Sequence, residues 1–300
     1  MSTTIGVAGC GRWGEHVVRD LVGLGAAVFV ADPDPARRDV ARSLGARATV
    51  ADVSDLLEVA ECGGFVVVTP ASEHRRICAA VLELGVPVFV EKPPGTSIAD
   101  VEELAALGAD RLFVMHKWRY HPGVLEIADL TRNGVLGALH GLRTTRTGPQ
   151  RLPDDVDVTW HLAVHDVAIA LEILGSVPHV VAAVGERAGD GRLRRVEATL
   201  RAGPETEHRL VVAADAREYT REIQVVGSEA TAVLVRPDAP TVDIVRADGS
   251  TEHRPLADDL PLRRELAAFV AYCEGGPAPK SSMVEALAIA RCLAAIQECA

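Results

Sequence analysis

Lysine is nearly absent from this sequence, so the positions that keep it carry information. Of 31 basic residues only Lys92, Lys117 and Lys280 are lysines. Arginine stays protonated under ordinary conditions, whereas a desolvated lysine can lose its proton and take part in proton transfer. Lys92 stands in Glu91-Lys92-Pro93, directly after the apolar run Pro87–Val90, which places it at a strand end. A second constellation opens the chain: Gly9-Cys10-Gly11-Arg12-Trp13-Gly14 follows an apolar stretch, Thr4–Ala8. In that spacing Gly9 permits a tight turn, Gly11 lets a pyrophosphate approach the backbone, and Gly14 lets helix pack on strand. The helix that follows presents its N-terminus to the phosphates. Asp32 ends the next strand, 18 residues beyond Gly14, where a carboxylate accepts from an adenosine ribose and repels a 2′-phosphate. NAD is therefore the expected cofactor, with NADP left open by Arg37 and Arg38 nearby. A hydride carrier beside a proton carrier outlines a dehydrogenase.

Further candidates lie in loops and on one helix. Thr69-Pro70 with His74 follows the fourth strand, on the edge where cofactor and substrate meet in such sheets. His161 and His165 are four apart on a segment of helical period, so both imidazoles share a face. They form half a metal site at most: Leu162 stands where HExxH needs Glu, and no third ligand is near, so no metal is expected. Arg143, Arg146, Gln150, Arg151 and Asp157 fall in the segment 143–157, whose arginines suit an anionic or polar substrate.

These residues need a scaffold, and the pattern supplies one. Strands are expected at Thr4–Ala8, Ala27–Ala31, Ala46–Val50, Phe65–Thr69, Pro87–Val90 and Leu112–Met115, nearly all apolar as buried parallel strands are. Helices alternate with them at Arg12–Leu24, Pro35–Leu44, Ser54–Glu61, Ser72–Leu84 and Ile98–Leu107, with Ser54, Ser72 and Ser97 as N-caps. The fold class is α/β: an N-terminal doubly wound parallel sheet of the Rossmann type over 1–120. Residues 121–300 read as an α+β domain with a mostly antiparallel open sheet, serving substrate binding and oligomerisation, its last helix able to pack back on the first domain. A helix over Val158–Leu174 carries the two histidines. Strands such as Glu207–Ala214 and Arg221–Val226 are apolar on both faces, which suggests a homodimer or homotetramer built on that sheet.

Net charge is −11 with a pI near 5.4, which opposes nucleic-acid and anionic-membrane binding. No apolar run reaches membrane-spanning length, and Met1-Ser2-Thr3-Thr4 lacks the basic region of a secretory signal. Six cysteines without CxxC spacing suit reduced thiols in the cytoplasm.

Taken together, the fingerprint, Thr69-Pro70 with His74, Gly85-x-Pro87-Val88-x-Val90-Glu91-Lys92-Pro93, His116-Lys117-Trp118-Arg119-Tyr120-His121-Pro122, Leu136-Gly137, Trp160–Asp166 and Pro261-Leu262-x-x-Glu265-x-x-x-Phe269 resemble the Gfo/Idh/MocA oxidoreductases over nearly the whole chain. That resemblance implies a lysine beside the nicotinamide, carried here by Lys92, and an Asp-x-x-x-His pair on a later helix, whose His is His165. The Asp position holds His161, so an imidazole replaces a family carboxylate. The cofactor-binding set implied is Gly9, Gly11, Arg12, Trp13, Gly14, Asp32, Thr69, Pro70, His74, Glu91 and Lys92. Substrate-binding candidates are Lys92, Arg119, Tyr120, Arg143, Arg151, His161 and His165, with Lys92, His165 and His161 catalytic. The expected reaction is hydride transfer between nicotinamide and a secondary alcohol or ketone of a sugar or cyclitol, foremost a ketosugar, nucleotide-linked or free. An imine or pyrrole-type reductase and a non-catalytic cofactor-sensing regulator are the rival readings.

Overall fold

The computed structural model describes residues 3–59 and 61–300. They resolve into two compact units: residues up to Lys117 with Leu260–Leu287, and Trp118–Asp259 with Ala288–Ala300.

The first unit is built on six strands, β1 (Thr4–Ala8), β2 (Ala27–Ala31), β3 (Ala48–Val50), β4 (Gly64–Val67), β5 (Val88–Glu91) and β6 (Leu112–Met115). All pair in parallel, in the order β3-β2-β1-β4-β5-β6. The order in which successive strands are laid down reverses between β1 and β4, so the crevice for a ligand opens at the carboxyl ends of those strands. Five helices connect the strands: α1 (Arg12–Gly23), α2 (Pro35–Ser43), α3 (Val53–Val59), α4 (Ala71–Glu83) and α5 (Ile98–Gly108). Of the three serines expected to cap helices, Ser97 does so in a reciprocal box with Asp100. Ser54 and Ser72 lie inside their helices. Asp52 Oδ1 accepts from both the backbone N–H and the hydroxyl of Ser54 at the start of α3, and Pro70 precedes α4 with no side-chain cap.

A helix from the far end of the chain completes this unit's core. Helix α8 (Pro261–Cys273) buries Leu266 and Phe269 among Val17, Leu21 and Phe89, and the Phe89 and Phe269 rings stack at 5.1 Å. Truncating Phe269 to Ala would cost about 3–5 kcal/mol. Residues 260–287 thus group with the first unit rather than with the domain that follows residue 120.

The second unit is an eight-stranded sheet. In chain order its strands are β7 (Leu139–Pro149), β8 (His179–Arg187), β9 (Leu193–Ala202), β10 (Thr206–Ala213), β11 (Asp215–Gly227), β12 (Ala230–Leu234), β13 (Thr241–Arg246) and β14 (Thr251–Pro255). The spatial order is β14-β13-β12-β11-β7-β10-β9-β8, and only β7 and β10 pair in parallel. Helices α6 (Pro122–Arg132) and α7 (Val164–Leu174) share the core formed by Leu142, Ile223 and Val225 of the sheet. Strand β7 runs on to Pro149, so the first half of the candidate segment 143–157 is strand. Helix α9 (Met283–Cys299) closes the chain; it counts with the first unit up to Leu287 and with the second from Ala288.

Candidate active site

The glycine fingerprint forms the turn its spacing predicts. Gly9 sits at φ +94°, a left-handed conformation that glycine adopts without strain. A Cβ on Gly14 would lie 2.5 Å from the Gly9 carbonyl oxygen, so glycine is required where α1 meets β1. A Cβ on Gly11 would meet nothing within 4 Å, which leaves open ground before the helix N-terminus. Asp32 closes the far side. Its Oδ2 accepts from the Cys10 backbone N–H at 2.7 Å and its Oδ1 from Asp34 N–H at 2.9 Å, so one carboxylate fixes the glycine turn and the end of β2 together.

A cleft of about 540 Å³ runs between these groups, lined by Gly9, Gly11, Asp32, Arg37, Thr69 and Pro70 among others. The hydroxyl oxygen of Thr69 is buried without a hydrogen-bond partner. Open backbone at Gly11, a carboxylate at Asp32 and an unmet hydroxyl at Thr69 fit a dinucleotide: pyrophosphate on the helix end, ribose on the acid. Arg37, which also lines the cleft, is paired with Glu15, and Arg38 Nη1 donates to the Asp32 and Pro33 carbonyls.

Lys92 follows β5 on the same carboxyl edge of the sheet, before a cis peptide bond to Pro93. His74 stands behind it. Its Nδ1 lies 2.8 Å from the Pro93 carbonyl oxygen and its Nε2 2.8 Å from that of Thr69. The imidazole thus ties the loop after β4 to the Lys92-Pro93 segment and is buried. Loss of solvent raises the Glu91 carboxyl above the usual range, while Lys92 and Lys117 pull it back. Lys117 Nζ sits over the Trp13 ring, 4.3 Å from its centroid.

In the second unit the histidine helix begins with a widened turn. Thr159–Ala163 is a π-helical turn leading into α7. Such turns insert one extra residue and re-aim the side chains they carry, and they recur at functional sites. From Val158 to Ile173 every residue is buried except His161 and His165. The two imidazoles therefore share the one face of this helix that reaches solvent. Asp166, one step round, points the other way and pairs with Arg146 through Nε–Oδ2 at 2.9 Å and Nη2–Oδ1 at 3.3 Å. The Arg146 guanidinium lies over Trp118, 4.3 Å from the ring centroid. Burial raises the Asp166 carboxyl, and Arg146 opposes the rise.

The remaining substrate candidates are dispersed. Arg119 donates to Glu172 at 3.1 Å in an ion pair whose side chains are 7% and 6% exposed. Each charge of the pair is matched by the other within the protein. Tyr120 is buried beside it in sequence. Arg143 is exposed on the face of β7 opposite Thr144 and Arg146, hence opposite α7. Arg151 is 90% exposed, with Asp154 at 4.0 Å. Among the described residues, no group of three His, Cys, Asp or Glu could hold a metal ion.

Two groups lay outside the reading of the sequence as site residues. Glu265 is fully buried on α8, and neither of its carboxylate oxygens has a hydrogen-bond partner. Burial drives it well above the ordinary Glu range, and the nearby Glu91 adds to that while Lys117 opposes. Its place in Pro261-Leu262-x-x-Glu265 was the available signal. Gln297, near the end of α9, binds both Asp157 and Trp160 at the start of the histidine helix. No local signal marks it.

Comparison with known proteins agrees with this geometry. Residues 3–114 match the model of an oxidoreductase family with an NAD-binding Rossmann fold, GFO_IDH_MocA. An inositol 2-dehydrogenase from Saccharopolyspora erythraea is 32% identical over 58% of this chain, and the match spans 55% of that protein, about half its length. A UDP-N-acetylglucosamine 3-dehydrogenase from Acidithiobacillus ferrooxidans is 27% identical over 73% of this chain and 70% of its own. The solved structure of a levoglucosan dehydrogenase in complex with NADH and levoglucosan superposes with a TM-score of 0.87 over 99% of this chain and 97% of its own, at 17% identity, a likeness of fold. With its fingerprint turn, Asp32 and Glu-Lys-Pro segment, the chain is similar over residues 3–114 to the Gfo/Idh/MocA oxidoreductases with an NAD-binding Rossmann fold.

Proposed function

We propose that this protein is an NAD-dependent oxidoreductase of a sugar or cyclitol, transferring hydride at a secondary alcohol or its ketone. The observation that carries the reading is Lys92 at the carboxyl end of β5, on the same sheet edge as the Gly9–Gly14 turn and Asp32. Relatives named as inositol and UDP-N-acetylglucosamine dehydrogenases support the substrate class. NAD, when bound, supplies the hydride acceptor or donor. Gly11 and the N-terminus of α1 hold the pyrophosphate, and Asp32 holds the ribose and disfavours a 2′-phosphate. Lys92 hydrogen-bonds the reacting oxygen and gives or takes its proton. A lysine facing the cationic nicotinamide has its charged form disfavoured, which moves it toward a useful pKa. His165 orients the substrate hydroxyl. His161, in place of a carboxylate, adds a second imidazole on the same helix face as His165.

The favoured substrate is a ketosugar, nucleotide-linked or free. Arg143 and Arg151 are exposed and Arg119 is paired with Glu172, so the reading rests first on Lys92 and the two histidines. The six cysteines are all free, which suits the cytoplasm. A homo-oligomer would use the outer face of the second sheet, where Val181, Val184, Tyr219 and Val245 are exposed. Those residues lie on β8, β11 and β13; Arg209 of β10, on a strand read from sequence as apolar on both faces, is exposed instead.

The test is a panel of inositols, free sugars and UDP-sugars with NAD or NADH, followed by nicotinamide absorbance. Turnover of a polyol or its ketone supports the reading. Reduction of cyclic imines alone would replace it with an imine reductase. Tight NAD binding with no turnover across all classes would replace it with a cofactor sensor.

A further inference from the structure

Lys117 is the second of the three lysines, and the reaction described above does not use it. Its ammonium lies on the Trp13 indole, inside the fingerprint turn, at 4.3 Å from the ring centroid. Glu91 pairs with Met115 across β5 and β6, two residues before Lys117, and the ammonium lowers both the Glu91 and the Glu265 carboxyl. Packing brings these acids together. Phe89 and Phe269 stack at 5.1 Å. Glu91 lies two residues beyond Phe89, on the same side of β5. Glu265 lies one helical turn before Phe269, on the same side of α8. Glu265 is fully buried and its two oxygens have no hydrogen-bond partner.

The charged and titratable groups around Glu91 in this unit come from three elements. Lys92 adjoins it at the end of β5, Lys117 follows β6 behind the buried His116, and Glu265 comes from α8. His74 of α4 stands one residue further on, against the Pro93 carbonyl. Glu91 therefore has two cations beside it, and one of them is the lysine assigned to proton transfer.

We infer that Lys117 is a positioning residue for Lys92: by sharing the Glu91 carboxylate and placing a second cation in the cluster, it weakens the protonated form of Lys92 and so readies it to exchange a proton. The inference rests on the reading of Lys92 as the proton carrier. Its sign is fixed by electrostatics, since a nearby like charge disfavours the charged form and a nearby opposite charge favours it. Arginine in place of Lys117 would keep the effect, because it keeps the charge.

The scarcity of lysine makes a direct test practical. Reductive methylation with a ¹³C label adds reporters at Lys92, Lys117 and Lys280, which arginine substitutions at each position assign. The Lys92 signal is then titrated by NMR in the apo protein. Lys117→Met should move its midpoint up by about one pH unit. Lys117→Arg should return it to the wild-type value. Glu91→Gln, which removes the anion and keeps the side chain's shape, should move it down. An unchanged or lowered midpoint in Lys117→Met, no recovery in Lys117→Arg, or a rise in Glu91→Gln would overturn the inference. Because neither substrate nor cofactor is present, failure to find a substrate leaves this result standing. A midpoint that shifts while the pH–rate profile of the active enzyme stays fixed would remove Lys92 from the reaction and the positioning role with it.

Discussion

Gln297 Nε2 donates to Asp157 Oδ2 at 2.7 Å, across 140 residues of sequence. The same amide accepts from the Trp160 indole N–H at 2.7 Å, and Asp157 Oδ1 accepts from the Thr159 backbone at 2.9 Å. The three side chains close a ring around the start of the π-helical turn, and the His161 backbone N–H binds the Asp157 carbonyl oxygen at 3.0 Å. The last helix of the chain thus fixes the turn on which His161 stands.

Gln297→Leu should therefore do two things. It leaves a buried Asp157 oxygen and the Trp160 N–H unpaired, at a cost of about 1–3 kcal/mol. It also loosens the turn, so kcat should fall while NAD affinity holds. Denaturant unfolding and steady-state kinetics check this. Normal kcat in a destabilised protein would reduce the ring to a structural role.

Asp32 should set cofactor choice in combination with Glu15. Asp32→Ala removes the repulsion of a 2′-phosphate, and Glu15→Gln frees Arg37 from its ion pair at the cleft. The double variant should shift the NAD-to-NADP preference by at least about tenfold toward NADP, near 1.4 kcal/mol. Fluorescence titration of both cofactors decides it. An unshifted ratio would take selectivity away from Asp32.

His208 makes the fold sensitive to acid. It is fully buried, with Thr144 Oγ1 at 2.9 Å, and burial lowers its pKa from 6.5 to about 3. The unfolded chain binds a proton first as pH falls, so the stability present above about 6.5 is lost progressively toward 3, at about 1.4 kcal/mol per pH unit. His208→Leu should flatten that loss. Urea midpoints compared at neutral pH and in the middle of that window provide the check; parallel acid losses in both proteins would refute it.

His161 separates an unusual chemistry from an unusual sequence. If it stands in for the family carboxylate, His161→Asp should keep activity but change the pH–rate profile. His161→Leu should lower turnover with a melting temperature little changed. Lost stability with normal turnover would make it a packing residue.

The cofactor half of the molecule was legible because its signals are local. A glycine fingerprint, an acid at the next strand end and apolar runs of parallel-strand length each act within a few residues. The strand boundaries moved only slightly, as in β3, which begins at Ala48 rather than Ala46. In the second unit the histidine face was legible from spacing, but the π-helical turn was not, since one inserted residue leaves no periodic mark. The placement of the arginines was not legible, for a different reason. In β7, Leu142, Thr144 and Arg146 face inward and Arg143 outward, yet the stretch from Leu139 to Thr147 has no apolar alternation to set that parity. Arg119 was hidden by a partner, Glu172, 53 residues away. Gln297 and Glu265 act through contacts that only the folded chain creates.

Lys92 is proposed to move the proton while the glycine turn and Asp32 hold the cofactor. Lys92→Met tested by steady-state kinetics alongside NAD titration separates the two functions. Unchanged NAD affinity with turnover lower by roughly a hundred- to ten-thousandfold is expected. Turnover near the wild-type rate would contradict it.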